Sequence, residues 1–86
     1  MAVRDEAAAA ALARLPGWQQ TPDGIRRTIP RAAFGDAMKL VRRVADLARA
    51  TGCAPEIRVH GGAVTIVLAA PGGITEAHLE FARLLG

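Results

Sequence analysis

Residues 56–70 run Glu-Ile-Arg-Val-His-Gly-Gly-Ala-Val-Thr-Ile-Val-Leu-Ala-Ala and predict two strands joined by a tight turn. Glu56–His60 alternates polar with apolar residues, which is the pattern of a strand with one buried face. Gly61-Gly62 is a turn dipeptide. Residues 64–70 contain no charged side chain, so neither face of a strand formed by them would be charged. Because an uncharged strand favours the middle of a sheet or cover on both faces, we expect residues 64–70 to form a central strand.

A second hairpin is predicted upstream, around the turn sequence Thr21-Pro22-Asp23-Gly24. Proline is preset for the first central position of such a turn, and Gly24 is free to take a positive φ. Extended residues lie on either side, at 18–20 and at 25–29, which is the arrangement of two antiparallel strands.

Three segments have helical character. Residues 4–14 combine alanines with acids in the first turn, and Glu76–Leu85 follows Thr75, a good N-cap residue. Residues 33–51 repeat apolar side chains at helical spacing, and Gly52 suits the left-handed C-cap. The apolar side of this helix is wider than the arc of about 100° that one sheet requires, so we expect part of it to pack on something besides its own sheet.

This order of elements, α-β-β-α-β-β-α, predicts an α+β fold with a four-stranded antiparallel sheet and three helices on one face. The 86 residues form one domain, 1–86, with 3% aromatic residues. A chain this short buries only about 60–65% of its unfolded surface, so we expect a second subunit to add to its core. No apolar run reaches the roughly 18–20 residues of a membrane span, and the acidic start is not a signal peptide. We therefore expect a cytoplasmic protein.

The charge is mildly basic, with 11 cations against 8 acids and a net charge of +3. Seven of the cations could form a basic surface: Arg26, Arg27, Arg31, Lys39, Arg42, Arg43 and Arg49. Asp36 and Asp46 interrupt this set, and interspersed signs favour an ordinary solvated surface. An aromatic platform for single-stranded nucleic acid is also missing. We do not expect nucleic acid as a partner.

Several short strings, taken in order and spacing, resemble the pterin-4a-carbinolamine dehydratase family. They are Leu15-Pro-Gly-Trp18, Phe34-x-x-Ala37-Met38, Val41-x-Arg43-Val44-Ala45-x-x-Ala48, Pro55-Glu56, Val64-x-Ile66-x-Leu68, Gly73-Ile74-Thr75-Glu76 and Phe81-Ala82. The resemblance covers nearly the whole chain from Leu12 onward. It implies the same α+β fold, dimers that join their sheets edge to edge, and often tetramers.

The enzymes of this family remove water from a 4a-hydroxytetrahydropterin, with histidines as acid and base. The resemblance implies the family's pattern of site residues. It consists of an acid, a His-His-Pro after three intervening residues, an aromatic, a further histidine after the fourth strand, and an aspartate in the last helix. The matching positions here are Arg49 for the acid, Cys53-Ala54-Pro55 for His-His-Pro, Gly61 for the aromatic, Pro71 for the third histidine and His78 for the aspartate. We therefore expect a divergent member that lacks the motif and the ordinary dehydratase activity.

Five residues are candidates for a ligand pocket: Cys53, Pro55, Glu56, Arg58 and His60. Glu56, Arg58 and His60 share one face of their strand, which forms either a binding surface or a solvated face that keeps an edge soluble. Cys53 is either a reactive thiol or a small residue that packs. It cannot form an internal disulfide, because it is the only cysteine. The cysteine and the two histidines lack metal-ligand spacing, so no metal or cofactor is expected.

Three functions stay open. The first is an oligomeric protein-interaction or assembly module, since the resemblance extends to members that act as dimerisation partner of a transcription factor or as an assembly factor for Rubisco. The second is a repurposed pocket that binds or transforms another small molecule, with Cys53, Glu56 and His60 as its polar groups. The third is pterin dehydration by substituted acid–base residues. In each case the expected assembly is a homodimer or a homotetramer.

Overall fold

The computed structural model describes residues 4–86, so the first three residues of the predicted domain lie outside it. Its elements are α1 (Asp5–Leu12), β1 (Gln19–Thr21), β2 (Gly24–Pro30), α2 (Phe34–Thr51), β3 (Glu56–His60), β4 (Ala63–Ala69) and α3 (Glu76–Leu85). The predicted α+β class and element order are confirmed. The first helix ends earlier than predicted, because the backbone N–H groups of Arg14 and Leu15 donate hydrogen bonds to carbonyls only three residues back in the chain. No helix within residues 4–86 has the length and apolar character to cross a bilayer.

The four strands form one antiparallel sheet in the order β1-β2-β4-β3. The uncharged strand β4 lies between β2 and β3, as its composition predicts. Its second face is not covered by any described element, so Thr65 and Val67 are half-buried there and Ala69 is exposed. The strands β1 and β3 are the two edges.

The core lies between the sheet and the helices, all on one face. Val64, Ile66 and Leu68 of β4 are buried there, together with Ile25 and Ile29 of β2. The helices contribute Ala8, Leu12, Ala37, Leu40, Val44, Leu79, Phe81, Ala82 and Leu85. The strand residues that alternate with these buried ones point to the other side of the sheet, which we call the open face.

Two arginines hold the end of α3. Arg27 donates a hydrogen bond from Nη1 to the carbonyl of Gly86 at 2.6 Å, and Arg43 donates from Nη2 to the carbonyl of Leu84 at 3.1 Å. A helix C-terminus has unpaired carbonyls and a partial negative charge, so both contacts are favourable. These two cations therefore stabilise the fold, and both belong to the set of seven that could have formed a basic surface.

The wide apolar side of α2 is only partly covered. The buried residues Ala37, Leu40 and Val44 belong to the part that packs on α3 and β4. Phe34 is 61% exposed and Met38 is 43% exposed. The expectation that α2 packs on more than its own sheet is met in part by α3, and the remainder stays uncovered in the single chain.

Gly24 is required for space and not for its dihedral angle. The predicted positive φ at Gly24 is wrong, since it is not among the glycines with positive φ. Gly24 instead pairs with Ala69 across β2 and β4. A Cβ atom there would overlap the carbonyl oxygen of Leu68. Glycine thus permits the two strands to approach at this point.

Replacing Gly24 with alanine should lower the free energy of unfolding by about 1–3 kcal/mol, because the new methyl group must push β2 away from β4. Gly35→Ala is the control, since a Cβ at Gly35 meets nothing within 4 Å and alanine suits a helix. Urea unfolding of the three proteins measures the difference. A Gly24→Ala protein as stable as the wild type would contradict this explanation.

Candidate functional site

The five candidate pocket residues are not brought together in one cavity. Glu56, Arg58 and His60 are exposed on the open face, whereas Cys53 and Pro55 are half-buried in the segment before β3. Four cavities lie on the surface of the described residues, and of the five candidates only Arg58 lines one of these four. The largest, about 550 Å³, lies on α1 and also touches Arg83 of α3, away from every candidate. The predicted shared face of β3 is therefore present, and none of these four cavities is lined by both Cys53 and Glu56.

Cys53 is part of the packing beside the core. It follows the left-handed C-cap at Gly52, where φ is 75° as predicted, and its side chain packs half-buried against the core cluster. Its backbone N–H donates to the hydroxyl of Thr51 at 3.4 Å, and that hydroxyl donates to the carbonyl of Leu47 at 2.8 Å. The bend into β3 is fixed by these contacts, with the sulfur among apolar neighbours.

The other two positions that resemble catalytic histidines have no group that transfers a proton. Ala54 is exposed, and Pro71 lies just after β4. Pro71 lines a small cavity of about 140 Å³ together with the β1–β2 turn. The lining of that cavity is mostly alanine, glycine and proline, and only Gln20 and Thr21 of it have polar side chains.

His60 is remote from the segment that holds Cys53. It occupies the last position of β3, where it pairs with Ala63, whereas Glu56 occupies the first. Four steps along a strand span about 13 Å. His60 is therefore at the opposite end of the strand from Glu56 and from the segment that holds Cys53.

His78 caps the helix in which it lies. Its Nδ1 accepts a hydrogen bond from the backbone N–H of Thr75 at 2.9 Å, and the two residues form a reciprocal capping box. Thr75 is the N-cap that the sequence predicts. The role of His78 was missed, because the third position of a capping box is usually glutamate or glutamine. Burial lowers the pKa of His78, which favours the neutral imidazole that this bond needs.

The centre of the open face is a block of two rows on three strands. The register of β2, β4 and β3 places Arg26, Val67 and Glu56 in one row. Thr28, Thr65 and Arg58 form the next row. A cavity of about 340 Å³ lies over this block, and it is lined by Gly17, Gln19, Arg26, Thr28, Arg58 and Thr65.

Polar contacts connect neighbours within this block. The Arg58 Nη2 atom lies 2.9 Å from Oε2 of Glu56, and the hydroxyls of Thr28 and Thr65 are 3.0 Å apart. Arg26 donates to Oε1 of Gln19 at 3.4 Å. Of this group, Glu56 and Arg58 were pocket candidates from the sequence. The others were missed because the register that makes them neighbours is a property of the folded sheet.

A metal centre is not formed by the described residues. No three histidine, cysteine, aspartate or glutamate side chains within that part of the chain come close enough to hold an ion.

Comparison with known proteins identifies the family. The sequence model of the family described as "Pterin 4 alpha carbinolamine dehydratase" matches residues 1–85. The chain belongs to this family. A protein of Mycobacterium sp. (strain KMS) named "Putative pterin-4-alpha-carbinolamine dehydratase" is 41% identical over 81 residues, which cover 92% of this chain and 86% of that protein. A Thermomicrobium roseum protein of the same name is 38% identical over 88 residues, covering 99% of this chain and 95% of its own.

The pterin-4a-carbinolamine dehydratase fold is also found by structure comparison. The crystal structure of a transcriptional coactivator/pterin dehydratase from Brucella melitensis superposes with a TM-score of 0.88 at 25% identity. The match covers 99% of this chain and 95% of the Brucella chain. The sheet and all three helices described above are therefore those of the family.

Acidification should destabilise the protein through His78. Its folded-state pKa is lowered, so the unfolded chain binds the proton more readily, and the free energy of unfolding falls as the pH drops from about 7 to about 5. His78→Gln should retain the capping box and lose this part of the pH dependence. His78→Ala should lose about 0.5–1.5 kcal/mol at pH 7, where the bond is intact.

Thermal unfolding between pH 5 and pH 8 measures both effects. His60→Gln removes an exposed histidine outside the cap and is the matched control. If His60→Gln and His78→Gln altered the pH profile equally, the capping role of His78 would be refuted.

Proposed function

We propose that this chain is a pterin-4a-carbinolamine dehydratase family member that does not dehydrate pterins and acts in the cytoplasm as an oligomeric protein-interaction or assembly module. One observation carries the proposal. The positions that resemble the family's histidines are Cys53, Ala54 and Pro71, and the two histidines of the chain lie at the far end of β3 and in the cap of α3. The scaffold is retained and the acid–base pair is missing.

The chemistry of dehydration is the reason that these substitutions support the proposal. One group must protonate the departing hydroxyl and another must accept a proton, each within hydrogen-bond reach of the substrate. Arg49 stands at the position of the family's acid, and a guanidinium cannot act as a base at neutral pH. Glu56 is the one carboxylate among the candidates, and it is paired with Arg58 at 2.9 Å. These groups do not form a donor–acceptor pair around one cavity.

A row of apolar residues on α2 supports association with a second copy. We call it the α2 stripe: Phe34, Met38, Val41 and Ala45. The spacing of four, three and four residues is that of a seam between two packed helices. Phe34, Met38 and Ala45 are exposed and Val41 is half-buried. A second α2 helix packed along the stripe would remove this apolar surface from water.

The outer edge of the sheet supports a second contact. β3 pairs with β4 on one side only among the described strands, so its other side presents backbone donors and acceptors. Two copies that pair β3 with β3 would extend the sheet. Two different two-fold contacts, one through α2 and one through β3, together give a closed tetramer, and either alone gives a dimer.

The comparisons support a role beyond dehydration for this fold. The Brucella protein is described as a transcriptional coactivator as well as a pterin dehydratase. A small-molecule site is the second candidate function, and it is favoured by the cavity beside Arg58 on the open face. Dehydration by substituted residues is the third, and no cavity lined by both Cys53 and Glu56 supports it.

The double variant Phe34→Ser with Met38→Ser should be a folded monomer under conditions in which the wild type is a dimer or tetramer. Both side chains are exposed in the single chain, so their loss should affect association and not the core. Sedimentation velocity measures the mass, and circular dichroism verifies the fold. Lys39→Ser with Asp46→Ser changes exposed residues on another side of α2 without altering the net charge, and it should associate like the wild type. A monomeric wild type, or a Phe34/Met38 variant that still associates, would contradict the proposed interface.

A further inference from the structure

Two arginines lie at opposite corners of the six-residue block at the centre of the open face. We propose that this block is a binding site for the dianionic phosphate group of a small molecule, held by Arg26 and Arg58 above the hydroxyl pair of Thr28 and Thr65. The site goes beyond the proposed interaction role, because it lies on the side of the sheet opposite α2.

The geometry of the block allows both guanidinium groups to reach one ligand. Arg26 and Arg58 are two strands apart and one row apart. Strand spacing of about 4.8 Å and a rise of about 3.3 Å per residue put their Cα atoms about 12 Å from each other. An extended arginine side chain covers about half of that separation, so the two can meet over the threonines from opposite sides. The diagonal arrangement also keeps the cations apart when the site is empty.

The two hydroxyls supply a hydrogen-bond donor at the floor of the site. Thr28 and Thr65 share one hydrogen bond at 3.0 Å, in which one hydroxyl donates and the other accepts. Each hydroxyl has one proton. The accepting hydroxyl therefore keeps its own proton available for an oxygen atom of a ligand that lies above the pair.

The two arginines of the block supply two positive charges with which a dianion can pair, and Glu56 is the one anion of the block. Within the described residues Arg26 forms no salt bridge, and its only side-chain contact is the neutral amide of Gln19. Arg58 already holds one oxyanion, the carboxylate of Glu56, through Nε and Nη2. Guanidinium groups bind phosphate oxygens with bidentate geometry, and a phosphate monoester carries about two negative charges at neutral pH. Glu56 thus positions Arg58 in the empty site and competes with the ligand for it.

The cavity has the size for a phosphate group with a small substituent. It measures about 340 Å³, and its lining is mainly polar: two arginines, two threonines, Gln19 and Gly17. Gly17 has no side chain, so it leaves the edge of the cavity beside Gln19 open. An apolar or aromatic ligand would find no complementary wall here, which restricts the ligand to a compact, polar phosphate ester.

Titration of the full-length protein with inorganic phosphate and with glycerol phosphate tests the proposal. Two-dimensional NMR at constant ionic strength should show saturable shifts centred on the amides of Thr28, Thr65 and Arg58. Arg26→Gln should weaken binding about tenfold or more, since it removes a charged hydrogen-bond donor. Arg42→Gln removes the same charge from exposed α2 and should have little effect. Thr28→Val with Thr65→Val should weaken binding and leave the charge unchanged.

Glu56→Gln distinguishes a built site from general attraction to a basic protein. It should tighten phosphate binding about two- to fivefold, because Arg58 is released from its exposed ion pair. Asp46→Asn makes the same change of charge on α2, and it should leave the affinity unchanged. Acetate, a monoanion, should bind more weakly than phosphate. Shifts that fail to saturate, equal weakening by Arg26→Gln and Arg42→Gln, or equal effects of Glu56→Gln and Asp46→Asn would each overturn the proposal.

Discussion

The backbone hydrogen bonds on both sides of β4 hold the molecule together. β4 pairs with β2 over seven residues and with β3 over five, all antiparallel. Its alternate residues Val64, Ile66 and Leu68 form the floor on which the helices pack. The same register aligns the arginines and threonines of the open face. A shift of the β4 register by one residue would expose its apolar side chains to water, and it would disrupt both the core and the polar block.

Much of the fold could be predicted from local patterns because each pattern had few physical solutions. The uncharged run at 64–70 favoured a central strand or one covered on both faces, and the turns at 21–24 and 61–62 joined neighbouring strands. The need for Gly24 could not be predicted correctly, because it depends on the carbonyl of Leu68, which is distant in sequence. The cap at His78 was missed for a different reason: histidine is an unusual capping residue, although its spacing from Thr75 was visible.

The candidate site was harder to predict than the fold. Grouping Glu56, Arg58 and His60 on one face followed from the period of a strand and is correct. The period of one strand does not reveal which residues of the neighbouring strands lie beside it. Arg26, Thr28 and Thr65 were therefore not grouped with Glu56 and Arg58. Arginines that look alike in the sequence also have separate roles in the structure. Arg27 and Arg43 hold the end of α3, whereas Arg58 pairs with a carboxylate on the open face.

Membership of the family and the proposed loss of its chemistry are compatible, because they depend on different residues. Strings that carry the resemblance, such as Val64-x-Ile66-x-Leu68 and Gly73-Ile74-Thr75-Glu76, lie in the buried strand β4 and at the start of α3. The positions that resemble the family's histidines, Cys53, Ala54 and Pro71, lie in the segments that leave α2 and β4, outside the buried core. The proposed loss of the reaction is therefore consistent with the retained fold.

Direct assay of the purified protein with a 4a-hydroxytetrahydropterin tests this separation of fold from reaction. We predict that the dehydration rate equals that of the uncatalysed reaction at every protein concentration, alongside an active dehydratase as positive control. A saturable acceleration by the wild type that is lost in Cys53→Ala or Glu56→Gln would show that the substituted residues do catalyse dehydration.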